Sequence, residues 1–312
     1  MRGPVRSARG GDPYLGRAAD RRPAPARGSA RLRRRGAALR RCVVSFTYYT
    51  VDTGIETSQV FWSFDAVADH VELCDAETTL PVFLAALPKN ESILDAGCGL
   101  ARWVIFLRTR GYRVVGTDRA YSALAAARRE ADVPLFTADT MRLPIRDAAL
   151  GAVISLGVVE HDPAGPVAAL REIRRVLRPG GIALVAVPYN NPFRRALINH
   201  LRRLRDWQKR RAGLKLVFGE YRFTAAELTT FLHTAGFEVE SIHVDDFTPP
   251  LGKGLWVDSS SFFGYRIGPI EIAPGHKRWE LNRRARVIQR AANAISPWLV
   301  AGGVLAVARR VD

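Results

Sequence analysis

An α/β fold built as a doubly wound parallel sheet is what this sequence predicts, on three observations. Short apolar runs alternate with helical patterns between residues 92 and 188; acidic residues stand where successive runs end; and one run passes straight into a glycine-rich turn and a helix. That last stretch is ILDAGCGLARW, from Ile93 to Trp103. Its strand ends in Asp95, Gly97 and Gly99 let backbone approach a ligand, and Trp103, Ile105, Phe106 and Leu107 open the helix, whose first turn carries unpaired N–H groups.

The chain ahead of that core divides by composition. Residues 1–41 hold 13 Arg against Asp12 and Asp20, so +11 of the formal net charge of +17 sits there, leaving +6 for the other 271 residues. The domain itself is only mildly basic. Residues 1–42, rich in Arg, Ala, Gly and Pro and without apolar periodicity, read as a disordered tail. A basic arm for nucleic acid or anionic lipid, a transit peptide, or translated sequence ahead of a start near Val43 are its three readings, and a functionless tail is the expectation. Residues 43–90 read as a helical N-terminal cap with helices at about Thr57–Leu73 and Asp75–Leu87, ended by Pro88. Of the aromatics Tyr48, Tyr49, Phe61, Trp62 and Phe64, most are assigned to core packing.

Residues 91–312 supply the core. Tyr112–Thr117 is a β-rich run that ends in Asp118, about 20 residues past the glycines, where a carboxylate accepts hydrogen bonds from both ribose hydroxyls of a nucleoside. Ala120–Glu130 is helical. Val133–Ala138 is the third strand, followed by Asp139. Leu150–Leu156 is the fourth and runs into GVVEHD; the helix Ala164–Leu177 then ends in RPGG, where Gly180 suits positive φ, and IALVAVP is the fifth.

Together DAGCG, Asp118, the Asp139 before LP, the EH pair and LRPGG resemble a class I S-adenosylmethionine-dependent methyltransferase of the small-molecule, quinone-biosynthesis-like group. The resemblance implies a Rossmann-like seven-stranded sheet, mostly parallel with an antiparallel last strand, for which Phe237–Val244 and Gly303–Arg309 are suitable final strands. It implies S-adenosyl-L-methionine as cofactor, S-adenosyl-L-homocysteine as product, and no metal. Carried over by position, Asp95, Gly97 and Gly99 line the methionine part, Asp118 with Arg119 holds the ribose, Asp139, Thr140 and Met141 meet the adenine, and Leu156 approaches from the fourth strand. The family's motif often has a third glycine where this chain has Ala101. A nicotinamide dinucleotide is disfavoured, because the last position of a GxGxxG counted from Gly97 is Arg102.

Methyl transfer from a sulfonium needs alignment and, for a hydroxyl acceptor, removal of a proton. His161 is the candidate general base, with Glu160 to orient it; the other reading is that the pair caps the next helix. His233, His243 and His276 are expected to be structural or solvated. The nucleic-acid signature Asn/Asp-Pro-Pro-Tyr is absent after the fourth strand, which argues for a small-molecule acceptor, a hydrophobic one included, with O-methylation favoured and nucleic acid disfavoured.

Two helical inserts, at about 190–223 and 246–298, decorate the core. The first places Leu197, Leu201, Leu204 and Trp207 at helical spacing among eight Lys and Arg from Arg194 to Arg211. Such a helix lies on an anionic membrane, lids a lipid-like substrate, contacts phosphates, or shows a solvated face over a packed stripe. By resemblance, Tyr189, Asn190, Tyr221 and Arg222 are substrate-pocket candidates. Three scattered cysteines exclude a disulfide framework or metal cluster and fit a cytoplasmic location, with peripheral membrane contact through the insert. The longest apolar windows are about half of the roughly 20 residues that a span needs. A methyltransferase-like protein binding nucleic acid or membrane without turnover is the competing function.

Overall fold

A computed structural model describes residues 46–52, 54, 67–253, 280, 281 and 283–312. In chain order the elements are β1 (Phe46–Val51), α1 (Val67–Ala76), α2 (Leu80–Ala86), β2 (Ser92–Ala96), α3 (Arg102–Arg108), β3 (Arg113–Asp118), α4 (Tyr121–Glu130), β4 (Leu135–Thr137), β5 (Leu150–Leu156), α5 (Val167–Val176), β6 (Leu177–Pro188), α6 (Asn199–Arg211), β7 (Leu216–Arg222), α7 (Ala225–Thr234), β8 (Phe237–Asp245), α8 (Arg283–Ile295) and β9 (Gly303–Arg310).

Seven strands form one sheet in the order β4-β3-β2-β5-β6-β9-β8. β2 pairs in parallel with β3 and β5, β3 with β4, and β5 with β6, whereas β9 is antiparallel to both β6 and β8. The expected seven-stranded sheet with an antiparallel last strand is therefore present, and every strand except β9 delivers its carboxyl end to one edge. Its strands read as apolar runs because both sheet faces are covered: Ile93 and Leu94, on opposite faces, are both buried. Ile93, Val114, Ile154, Leu184 and Leu305 share one cluster with Phe83, Trp103, Phe106 and Leu107. Phe83 and Trp103 stack at 4.5 Å, which fixes α2 against α3.

The N-terminal region differs from the expected helical cap. Phe46–Val51 is a strand, paired antiparallel with β7 in a second, two-stranded sheet, so the first insert adds a strand as well as a helix. Six consecutive β-formers, FTYYTV, explain it locally. Residues 55–66, with most of the helix expected from Thr57, lie outside the described residues; from Val67 the helix runs on to Ala76. The expected helix from Asp75 starts instead at Leu80, because Pro81 belongs in a first turn, where its missing N–H costs nothing. Helix α5 starts at Val167, after Pro166, and ends at Val176, where Leu177 turns extended; Gly180 adopts φ +71° as RPGG suggests. The basic insert helix opens with a π-helical turn over Arg194–Ile198 before α6. Among the described residues, no helix is long and apolar enough to cross a membrane.

Candidate functional site

The site is assembled at the carboxyl edge, starting from the turn after β2. Gly97 and Cys98 both donate their N–H to the Thr117 carbonyl, at 2.7 and 2.9 Å, tying the turn to the neighbouring strand. Gly97 and Gly99 take φ of +85° and +53°. Only glycine fits at Gly97, where an added Cβ would stand 2.3 Å from Val158 Cγ2 in the loop after β5. Ala101, in the place of the family's third glycine, holds φ +57° as a side chain, an αL conformation that costs about 1–2 kcal/mol. The backbone the motif demands is kept although the glycine is gone.

Asp118 closes the turn from the second strand. One carboxylate oxygen accepts from Gly99 N and the other from Ala120 N, each at 2.8 Å. Each oxygen retains a lone pair, so hydroxyl donors from a ribose fit the same group. Arg119, beside it, is exposed. Asp95 is buried beneath the turn; burial pushes its carboxyl up to about 7, although Arg102 nearby favours the charged form. Asp139, past β4, accepts from Met141 N at 2.9 Å in an Asx-turn, which presents Thr140 and an exposed Met141 at the same edge. Leu156, half-buried, ends β5.

Beyond β5 the EH pair does not cap the next helix, whose N-cap is Pro166. Glu160 is 1% exposed, and one of its oxygens, Oε2, has no hydrogen-bond partner. Its carboxyl lies against Gly157: a Cβ there would stand 3.6 Å from Oε1. Burial raises the Glu160 pKa to about 7 against the pull of His161 and with the help of Glu220. His161 exposes half its side chain, and its Nδ1 lies 2.9 Å from the Gly219 carbonyl. A carbonyl only accepts, so Nδ1 donates to it, and in the neutral ring Nε2, 4.0 Å from Glu160 Oε1, holds the lone pair. Desolvation would lower the His161 pKa, but Glu160 and the Gly219 carbonyl together leave it raised.

The second sheet roofs this loop. Besides the His161 contact, the Tyr221 hydroxyl donates to the Pro163 carbonyl at 2.9 Å. Arg222 is buried, bonded to Glu220 at 3.1 Å and packed on the Tyr48 ring at 4.7 Å, with Arg202 on the same ring at 3.6 Å. The Asn190 backbone N–H donates to Phe223 O, while its side-chain oxygen takes the Asn199 amide at 2.9 Å. Tyr189, buried, meets Trp298 edge-on. The structure thus brings Tyr221 to Pro163, two residues past the EH pair, and commits the side chains of Asn190 and Arg222 to internal partners. His243 bonds Ser241 Oγ at 2.8 Å, and His276 lies outside the described residues.

Sequence reasoning missed one charged cluster at this edge. Arg102, the first residue of α3, pairs with buried Glu77 at 2.6 Å; Lys253 reaches Glu77 at 3.3 Å and Asp245 at 2.8 Å. Burial by itself would raise the Glu77 pKa, yet the two cations hold it well below the usual carboxylate range, while burial raises Asp245. The Arg102 Nη1 is buried and has no hydrogen-bond partner, one bond short at the end of the turn. The only signal in the sequence was Arg102 itself, which breaks the dinucleotide spacing. A carboxylate set on β3, a positive-φ glycine cradle and a guanidinium one bond short fit a nucleoside that carries an amino-acid tail. Among the described residues no cluster of His, Cys, Asp or Glu is arranged to hold a metal.

Residues 94–185 match the family model described as "Methyltransferase domain". The chain is 37% identical over 107 residues to the tRNA (carboxymethyluridine(34)-5-O)-methyltransferase ALKBH8 of Macaca fascicularis, covering 34% of this chain and 16% of that protein. It is 34% identical over 146 residues to the demethylmenaquinone methyltransferase of Mycobacterium sp. (strain JLS), covering 43% and 60%. The chain thus spans less than two thirds of either relative. The complex of the Haloferax volcanii Trm112 methyltransferase activator with a putative methyltransferase shares the fold, with TM-score 0.51 and 20% identity, covering 79% of this chain and 94% of that one.

Proposed function

From the premise that the chain carries a class I S-adenosylmethionine-dependent methyltransferase domain, we propose that it methylates a hydroxyl of a small, hydrophobic molecule, with His161 as general base. S-adenosylmethionine would supply an electrophilic methyl group on a sulfonium: the acceptor oxygen would bond to the methyl carbon in line as the carbon–sulfur bond breaks and S-adenosylhomocysteine leaves as a neutral thioether. Asp118 would hold the ribose hydroxyls, the Asp139–Met141 turn the adenine, and Gly97, Gly99 and Asp95 the methionine part, with Arg102 at its carboxylate.

The observation that carries the reading is the Gly219 carbonyl, which fixes the His161 tautomer and leaves Nε2 as the basic nitrogen. Nε2 takes the proton of the acceptor hydroxyl, and the Glu160 carboxylate beside it stabilises the imidazolium. A buried acid raised to about 7 beside a solvent-exposed imidazole forms a pair that exchanges a proton near neutral pH. Because Tyr221 and Gly219 come from the added sheet, that sheet would shape the acceptor pocket. Two observations favour a small molecule over tRNA: the loop after β5 reads SLGVVEH, and one relative is a demethylmenaquinone methyltransferase. The relative that acts on tRNA makes tRNA the alternative to exclude.

The test is transfer of radiolabelled methyl from S-adenosylmethionine into phenols, hydroxylated quinones and bulk tRNA. Label is expected in the solvent-extractable fraction, reduced about 10²–10⁴-fold in His161→Ala with S-adenosylhomocysteine binding retained. Label in precipitated tRNA, or a rate indifferent to His161, would refute the reading.

A further inference from the structure

Helix α6 is turned inside out. Its polar residues Asn199 and Asp206 are buried, Asp206 at 9% exposure, and Arg202 lies inward on the Tyr48 ring. Two of its large apolar residues face water, Leu204 at 51% and Trp207 at 54% exposure, one turn apart on a single face, while Leu201 is half-buried. Exposed Leu197 and Leu214 continue the stripe at its two ends. A solvated polar face over a packed apolar stripe, one of the readings open from sequence, is the reverse of what is found. The inversion has a local cause: α6 packs on β1 through cations over rings, with Arg202 on Tyr48, Arg203 on Phe46 and Arg210 on Tyr49, at 3.6, 5.9 and 5.1 Å.

We infer that this face docks the protein on an anionic lipid surface. Arg195, Arg205, Lys209 and Arg211 border the stripe, Arg211 lying over the Trp207 ring at 5.3 Å, and the single acid of α6, Asp206, is turned inward. Leucines and an indole level with a row of arginines match the acyl boundary and headgroup layer of a bilayer: the apolar tips enter the hydrocarbon edge while guanidinium groups stay among phosphates. A second copy of the chain would bring the same cations face to face. Nucleic acid would use the cations but leave Leu197, Leu204 and Leu214 in water. A second amphipathic helix, α8, exposes Val287, Ile288 and Ile295 beside Arg283, Arg284 and Arg290, and its Ala285 cluster packs against Phe193, which leads into the α6 segment.

The test uses the full chain with phosphatidylcholine vesicles, with and without about one third phosphatidylglycerol, bromine-labelled on the acyl chains. Tryptophan fluorescence is expected to be quenched by the anionic vesicles alone, and less in Trp207→Phe. Leu204→Glu with Trp207→Glu should lower partitioning about tenfold or more, with the thermal melt and S-adenosylhomocysteine binding unchanged because both side chains are exposed. Equal quenching of Trp207→Phe, undiminished partitioning of the double variant, or equal binding to neutral vesicles would overturn the inference. So would loss of tRNA binding in that variant with vesicle binding intact.

Discussion

Gly97→Ala is expected to destabilise the protein by about 2–5 kcal/mol: about 1–2 for placing a side chain at φ +85° and about 1–3 for driving its Cβ into Val158. Gly157→Ala separates the two causes. It too has positive φ, +69°, but its Cβ would meet only Glu160 Oε1 at an ordinary 3.6 Å. Urea unfolding should therefore show Gly97→Ala to be the costlier change by about 1–3 kcal/mol, and Val158→Ala should recover part of the difference. Equal losses would mean that the turn and the loop after β5 do not meet as described, and the cradle would lose one wall.

Glu160→Gln is expected to reshape the dependence of stability on pH. The folded Glu160 binds its proton up to about pH 7, against a usual glutamate value of 4.5. Between those values folding takes up a proton, so stability falls as pH rises, by about 3 kcal/mol in total at 1.36 kcal/mol per unit. Gln removes that loss. Raised above its unfolded value, His161 contributes stability that is present below pH 6.5 and lost as pH climbs through its folded value. Without Glu160 that contribution shrinks, so both effects favour the variant at high pH. Relative to the parent, Glu160→Gln should gain about 3 kcal/mol in chemical unfolding between pH 4.5 and pH 8, with the Asp95 contribution cancelling in the difference. The His161 ring should titrate at lower pH in the variant when followed by NMR. A parallel pair of stability curves would show that burial does not raise the Glu160 carboxyl as described.

Which parts of this were legible in the sequence follows from how local the physics is. Asp95, Gly97, Gly99, Asp118 and the run Leu150–Leu156 were readable because each strand end, turn and acid is specified by adjacent residues. The pairing of Phe46–Val51 with Leu216–Arg222 joins segments some 165 residues apart, and nothing in FTYYTV names its partner. Its β-forming composition was visible; the strong helical patterns that follow it drew the region towards a helical cap. The Glu77–Arg102–Lys253–Asp245 cluster likewise draws on three separate segments. Leu204 and Trp207 were read at the correct helical spacing, but spacing gives a face and not its direction. That direction was set by rings on β1, which lets arginines occupy the inner side.

On the proposed reading, the edge formed by the β2 turn, Asp118 and the Asp139–Met141 turn is where S-adenosylmethionine binds. Titration calorimetry of S-adenosylhomocysteine into the full chain tests it most directly. One-site binding is expected, weakened about 10²–10⁴-fold in Asp118→Ala, since two charge-assisted hydrogen bonds of about 1.5–3 kcal/mol each are lost. No binding by the parent chain, or equal affinity in an Asp118→Ala protein whose unliganded melt is unchanged, would contradict it.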